Sequence, residues 1–562
     1  MNSGYAMGRI TGRTGVYLFR QCWNLSPTVF IKTLKNKEMK KLVSITLFIC
    51  TCACTLMTGC KENDPDIPSP EAGKITLSAV SAMVKVPMAS YVLLETDDTV
   101  KISAAGGEYE SFQVVVASVD STVLTGVRWS VSALKAKAGE IGVDNITVNP
   151  VGYVQTTVLG SGYPSSLGWW PDPLLRMDNL DIATLERQPL WVTVYVPRKT
   201  PAGTYTGYVH VESDNAGSAN IPVSLRVWGF DIPLTPSIKT LTWVNSTSLK
   251  NFGGDTREMR KAYYELLLKH RLGPGGQVEL DEEMLSFCIE RGMNAFILDN
   301  ILNLKRVNQN SYTDAYKESL RTRLSDYVNK FGPRGWLNGM AYVFNYDEVP
   351  QSHWPLAKEM YSFVKSVSPD LKVLQCLENP AGVAALAGYA DTWDIYVAQY
   401  EQSGVKYRVE QGDEAWLAIC CWPSVRPNLF HEYPAIDGRM LGWICFQTGV
   451  TGFEYWSPNL WQGNFGPPGL RGGWKANTFN NYNGDGYLTY PGPDNIHLSS
   501  VRLANFRDGF EDYEYLYLLK KLGDKTNLIQ QVVTGPTSYS SDPKLLYKVR
   551  ESAAKRIEEL MK

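Results

Sequence analysis

The sequence is poor in the residues that announce the most familiar chemistries. It has five histidines in 562 residues, and no CxxC pair or Cys/His cluster with the spacing of a zinc ligand set, which argues against a structural zinc site. Four of its ten cysteines, Cys50, Cys52, Cys54 and Cys60, crowd one apolar run and the others are scattered, so no disulfide framework is expected. Net charge is almost absent: 55 Lys and Arg against 57 Asp and Glu leave −2, which offers no electrostatic footprint for a polyanion and excludes nucleic acid as a partner. His431-Glu432 lacks the second histidine of a zinc-protease helix, and the Gly-rich residues 466–473 lack the Lys-Ser/Thr ending of a phosphate-binding loop and read as a mobile loop. No metal and no cofactor are expected.

A long apolar run is missing too. The longest, residues 42–57, follows Met39-Lys40-Lys41 and is 16 residues long, too short for a normal transmembrane helix but right for a secretion signal. It ends in Leu56-Met57-Thr58-Gly59-Cys60, similar to the lipobox of bacterial lipoproteins, in which that cysteine is lipidated and becomes the first mature residue. Residues 1–59 therefore read as a leader whose true start is Met39, and residues 60–73 as a flexible tether. A lipid at Cys60 anchors the chain to a membrane without spanning it. The acidic start of the tether, Lys61 to Asp66, resembles the signal for display on the outer face of a bacterial outer membrane, with the periplasmic face as the alternative.

What the sequence does have is apolar and aromatic material: 44% hydrophobic, 20% charged and 12% aromatic, with 16 Trp and 31 Tyr. This is a folded chain of more than one domain. Residues 74–235 carry short β-branched and aromatic runs, such as 111–116, 190–196 and 205–211, between Gly, Asn, Asp and Pro, the pattern of a β-sandwich. From 236 to 562 short strand candidates alternate with amphipathic helices, which predicts a (β/α)8 TIM-type barrel closed by C-terminal helices. The strand candidates are 241–244, 295–298, 339–344, 373–377, 395–398, 416–421 and 452–456. The stripe Phe506, Phe510, Tyr513, Leu516, Tyr517 and Leu519 reads as core packing.

In such a barrel the reacting groups sit at the carboxyl ends of strands. Asp-Glu occurs three times. Asp281-Glu282 opens a helix and Asp413-Glu414 precedes a strand, at the wrong end of the barrel, so both read as structural. Asp347-Glu348 follows the strand candidate directly and is ended by Pro350, which places both acids on the catalytic rim. Two carboxylates at a rim suggest sugar chemistry. Adjacent acids fit poorly the schemes in which two carboxyl groups face each other across the sugar. They fit better the substrate-assisted exception, in which the sugar's own 2-acetamido oxygen attacks the anomeric carbon.

Nine of the 16 tryptophans fall between residues 331 and 490, around this pair. Trp422, Trp443, Tyr455 and Trp456, with Asn345 and Tyr346 leading into the acids, are candidate sugar contacts. Tyr396 or Tyr455 could supply the hydroxyl that orients the acetamido oxygen.

Several segments resemble glycoside hydrolase family 123, the β-N-acetylgalactosaminidases, and the wider set of proteins sharing that catalytic domain. These are Tyr346-Asp347-Glu348, Cys421-Trp422-Pro423 with Pro427-Asn428 and Arg439, the stretch from Gly452 to Trp456, Gly484-Asp485-Gly486 with Tyr490-Pro491-Gly492, Arg502-Leu503 and the run from Arg507 to Tyr515. Pro201 to Tyr205 extends the similarity into the sandwich. The resemblance implies a sandwich followed by a barrel and retaining, substrate-assisted hydrolysis of a terminal N-acetylgalactosamine from glycans. Asp347 would orient and stabilise the acetamido group, Glu348 would be the acid/base, and the run from Arg507 would be architectural. The alternatives are a glycosidase of other specificity, for β-GlcNAc or a sugar without an acetamido group, and a surface lipoprotein that binds glycan without cleaving it.

Overall fold

The computed structural model describes residues 74–252, 255–344, 346–461, 469–478 and 481–562. The expected leader, Cys60 and the tether lie outside the described residues, as do Asn345 and part of the Gly-rich segment.

Two packed sheets form the N-terminal region, the first antiparallel and the second mixed, with one parallel pair, Val100–Gly106 against Gly217–Asp231. One sheet runs Ile75–Ser81, Glu108–Ser118, Arg187–Val196, Ile146–Thr156 and Gly168–Leu174; the second is built around Val100–Gly106, Gly217–Asp231, Gly203–Ser213 and Leu124–Val131. Period-2 alternation sorts the side chains. In Glu108–Ser118, Phe112, Val114 and Val116 enter the inter-sheet core with Leu190, Val192, Val209 and Val223, each worth about 1.5–3 kcal/mol of burial. Gln113 points the other way, donating to the carbonyls of Ser81 (2.9 Å) and Val84 (2.8 Å).

The second region is a nearly closed parallel barrel of seven strands: β1 (Lys239–Thr242), β2 (Phe296–Asn300), β3 (Ala341–Phe344), β4 (Lys372–Leu377), β5 (Thr392–Tyr396), β6 (Glu414–Ile419) and β7 (Gly452–Tyr455). They run in chain order from β2 to β7, and β7 pairs with β1. The eight-stranded barrel expected from the alternation of elements is thus realised only in part. The gap between β1 and β2 is occupied by residues 271–277, which run through it as an irregular segment. The Thr242 amide donates to Gly273 O (2.8 Å), the Gly276 amide to Thr242 O (3.0 Å) and the Ile297 amide to Gly275 O (2.9 Å). A Cβ on Gly275 would stand 2.0 Å from the Ala295 carbonyl oxygen, so the close approach demands glycine. Pro274 has no amide to give, and the ladder is interrupted there.

Leu241, Ile297, Tyr342, Phe344, Leu374 and Trp416 fill the barrel interior. Its amino-terminal end is closed by Glu414, which receives Lys239 Nζ (2.6 Å), Tyr342 OH (2.9 Å) and Lys372 Nζ. Asp413 binds Trp393 Nε1 (2.7 Å) and Arg408 (2.7 Å), while Asp281 caps the helix Glu282–Ile289 and pairs with Arg257. Both outlying Asp-Glu pairs are structural.

Three helices, α1 (Ile436–Thr448) between β6 and β7 and the C-terminal α2 (Val501–Lys521) and α3 (Pro543–Leu560), pack between barrel and sandwich. At the α1–α2 crossing a Cβ on Gly442 would lie 1.9 Å from Gly509 O, so the two backbones touch. One side of α2 carries Phe506, Phe510 and Tyr513 into the barrel-side core. Its Arg507, Asp508, Glu511 and Asp512 are equally buried. They join Arg439 of α1, Arg550 of α3, Arg271, and Glu108 and Glu110 of the sandwich in a continuous ionic cluster. Arg439 is its hub. It forks onto Glu110 (2.9 and 3.0 Å) and onto Asp512 (2.7 and 3.0 Å), joining the two regions through charge-assisted bonds.

Candidate active site

The carboxyl ends of the barrel strands and the loops after them surround a cavity of about 960 Å³. Trp243 follows β1, Gln277 ends the irregular segment, Asn303 and Arg306 follow β2, Asp347 and Glu348 follow β3, and Asp394 and Tyr396 stand in β5. Cys420 and Cys421 follow β6, and Glu454 and Trp456 end the circuit at β7.

Consecutive residues of a strand point to opposite faces, yet Asp347 and Glu348 both line this cavity. The chain has already left β3 and turned there. Glu348 takes a left-handed φ of 48°, uncommon and strained for a residue with a side chain. Glu348 Oε1 accepts from the Tyr396 hydroxyl at 2.9 Å. Asp347 Oδ2 is paired with Arg306 at 2.5 Å, and Asn303 Nδ2 donates to the Asp347 carbonyl at 3.1 Å. Burial pushes the Asp347 carboxyl above the ordinary aspartate range; Arg306 pulls it back and the negative charge of Glu348 adds to the rise.

Of the expected sugar contacts, the structure brings Tyr396 and Trp456 to the cavity. Trp422 is half exposed beside it, edge-on to Tyr396 with ring centroids 6.2 Å apart. Three others lie elsewhere. Tyr346 is buried, its hydroxyl accepting from the Lys305 amide (2.6 Å) and bonding His353 Nδ1 (2.7 Å), so it pins the loop that carries Arg306. Tyr455 faces away because alternation along β7 turns its neighbour Glu454 inward; its hydroxyl accepts from the Gly486 amide (3.1 Å). Trp443 lies within α1, buried, with Nε1 donating to Asp512 (3.0 Å). Trp393, Trp416, Trp461 and Trp474 are buried as well, so much of the tryptophan density around the pair is packing.

Two acids that sequence reasoning passed over are here. Asp394 and Glu454 stand in β5 and β7, 1% and 6% exposed, and burial holds both carboxyls above their ordinary range, aided by Asp347 for the first and by Asp394 for the second. Their signal was a single acid inside an otherwise apolar or aromatic strand, Thr392-Trp393-Asp394-Ile395-Tyr396 and Gly452-Phe453-Glu454-Tyr455. Trp456 is held by Asp485, whose Oδ1 accepts from Nε1 at 3.1 Å.

A cavity ringed by acids at the carboxyl ends of a parallel barrel is the usual seat of chemistry in such folds. Comparison with known proteins decides the family. The catalytic domain of glycoside hydrolase 123 matches residues 283–519, and the glycoside hydrolase 123 N-terminal domain matches residues 90–213. The chain belongs to glycoside hydrolase family 123. A family 123 glycoside hydrolase from Clostridium perfringens, whose structure was described for glycolipid glycan hydrolysis, shares the fold. The two superpose with a TM-score of 0.64 at 16% identity, over 86% of this chain and 97% of that one. A xyloglucanase of family 5 from Bacteroides ovatus (TM-score 0.28, 9% identity, 73% of this chain and 98% of that one) is too distant to carry an argument. So is a family 2 β-galacturonidase from Eisenbergiella tayi (0.29, 11%, 62% of each). No curated protein matches the chain. As a family 123 member this protein is a glycoside hydrolase, and a glycan is its substrate.

Proposed function

We propose that this family 123 enzyme is an exo-acting β-N-acetylgalactosaminidase that works by retaining, substrate-assisted catalysis. The observation that carries the reading is the pair Asp347-Glu348, two consecutive carboxylates turned into one cavity at a strand exit. In this mechanism the 2-acetamido oxygen attacks the anomeric carbon as Glu348 delivers its proton to the departing oxygen. The ionised Asp347 accepts from the acetamido N–H and balances the positive charge of the oxazolinium-like intermediate. Glu348 then takes a proton from water, which opens that ring with net retention. Tyr396 holds the Glu348 carboxyl from its Oε1 side. The resemblance of the leader to lipoprotein signals supports an anchor at Cys60 and display at a bacterial outer membrane. The sugar is tested on a panel of aryl β-glycosides: N-acetylgalactosaminide is expected to be turned over fastest, and faster turnover of N-acetylglucosaminide would reassign the substrate.

The pH profile tests the Asp347 role. An Asp347 that must be ionised makes the rate fall as pH drops through its pKa, and Arg306 is the group that holds that pKa down. Arg306→Ala is therefore expected to move the acidic limb of kcat/KM to higher pH. An unmoved limb, or one moved to lower pH, would remove Asp347 from the titration.

A further inference from the structure

One buried polar group of the cavity has no partner among the described residues. Asp394 is 1% exposed and lines the cavity, and neither of its carboxylate oxygens meets a hydrogen-bond donor or acceptor among the described residues. The two acids of the pair are both engaged: Asp347 with Arg306 and Glu348 with Tyr396. Buried polar groups are otherwise almost always satisfied, because a carboxyl taken out of water without a partner destabilises the fold. Among the described residues Asp394 caps no helix and pairs with no cation. Among the described residues no three His, Cys, Asp or Glu side chains are grouped to hold a metal ion. The missing partner is therefore one that enters the cavity.

We infer that Asp394 is a specificity-determining residue whose carboxyl hydrogen-bonds a ring hydroxyl of the sugar held by Asp347 and Glu348. The inference rests on the reading of the cavity as a glycoside site. The catalytic pair addresses the anomeric carbon and the 2-substituent, which leaves the 3-, 4- and 6-hydroxyls as the groups that reach Asp394. Burial and the charge of Asp347 favour the protonated acid, which both donates and accepts and so matches a hydroxyl in either sense. A site built around such a bond discriminates strongly against a sugar that lacks the hydroxyl, because the buried group is then left unpaired.

The test measures binding by calorimetry, which needs no turnover. N-acetylgalactosamine, its 3-, 4- and 6-deoxy forms and galactose are titrated into the wild-type protein and into Asp394→Leu, which replaces the carboxyl by an apolar group on the same heavy-atom skeleton, with Asp394→Asn as the conservative variant. Removal of one of the three hydroxyls is expected to weaken binding to the wild type by about tenfold or more while making little further difference in Asp394→Leu, and Asp394→Asn is expected to recover much of the affinity. In the absence of sugar, Asp394→Leu is expected to raise the melting temperature, since it replaces a partnerless buried carboxyl by an apolar side chain. Independent effects of Asp394→Leu and of every deoxygenation would overturn the inference, as would a lowered melting temperature with unchanged affinity, the mark of a structural residue. If neither protein binds any of the sugars, the glycosidase reading of the cavity falls with it. If galactose binds as well as N-acetylgalactosamine while the coupling at one hydroxyl persists, the acetamido mechanism fails and the role of Asp394 stands.

Discussion

Glu348→Gln is expected to lower kcat by about 10²–10⁴-fold, the range over which a positioned general acid acts, and to do so unevenly. In the proposed mechanism the proton that Glu348 delivers matters most when the departing alkoxide is a poor leaving group. Loss should therefore be large for an alkyl or sugar aglycone and small for a dinitrophenyl one. Asp347→Asn should behave differently. In the same mechanism its carboxylate faces the charge of the oxazolinium-like intermediate, which forms whatever the aglycone, so a loss of about 10²–10³-fold is expected for good and poor leaving groups alike. Steady-state kinetics of both variants on a leaving-group series separates the roles. Equal losses across the series for both would show that the assignments of acid and stabiliser are wrong.

The second large effect concerns the fold. Arg439→Met is expected to cost about 3–5 kcal/mol of stability, the penalty for stripping one partner from a buried ionic pair. Arg439 is 0% exposed and satisfies two carboxylates, one from each region of the molecule, and methionine fills its volume without answering either. Asp512 retains Arg550, but Glu110 loses its bidentate partner. Adding Glu110→Gln to Arg439→Met should restore part of the loss, because it removes a buried charge left with only the more distant Arg550, at 3.5 Å. Denaturant unfolding monitored by far-UV circular dichroism reads both numbers. A cost below about 1 kcal/mol for Arg439→Met would place the cluster among ion pairs that contribute little.

This cluster gives the run from Arg507 to Tyr515, expected to be architectural, its physical role. Acids and arginines that dense resemble catalytic machinery. They are instead the means by which a helix buried on nearly every side satisfies its charged face against Glu108, Glu110 and Arg439. Burial on all sides also removes the amphipathic stripe that would have located Trp443, which is why a tryptophan of the core was expected at the rim.

The seven barrel strands were legible because each is a short β-branched or aromatic run between turn residues, and the position of Asp347-Glu348 on the rim because the pair stands directly after one of them. The place of the eighth strand was not legible. Arg271-Leu272-Gly273-Pro274-Gly275-Gly276 has almost no side chains to alternate, and its position between β1 and β2 follows from backbone contacts alone. Asp394 and Glu454 escaped for the opposite reason. Each is one acid in an apolar strand, and only closure of the barrel shows that their side of the strand is the cavity side.

The measurement that bears most directly on the central claim is the ratio of kcat/KM for an aryl 2-acetamido-2-deoxy-β-galactoside to that for the matching aryl β-galactoside. If the acetamido oxygen is the nucleophile, replacing it by a hydroxyl removes the reacting atom, and the account predicts release of the aryl alcohol from the acetamido sugar with no detectable release from galactose. Comparable rates on the two would contradict it, because a cavity that cleaves both must draw its nucleophile from the protein or from water.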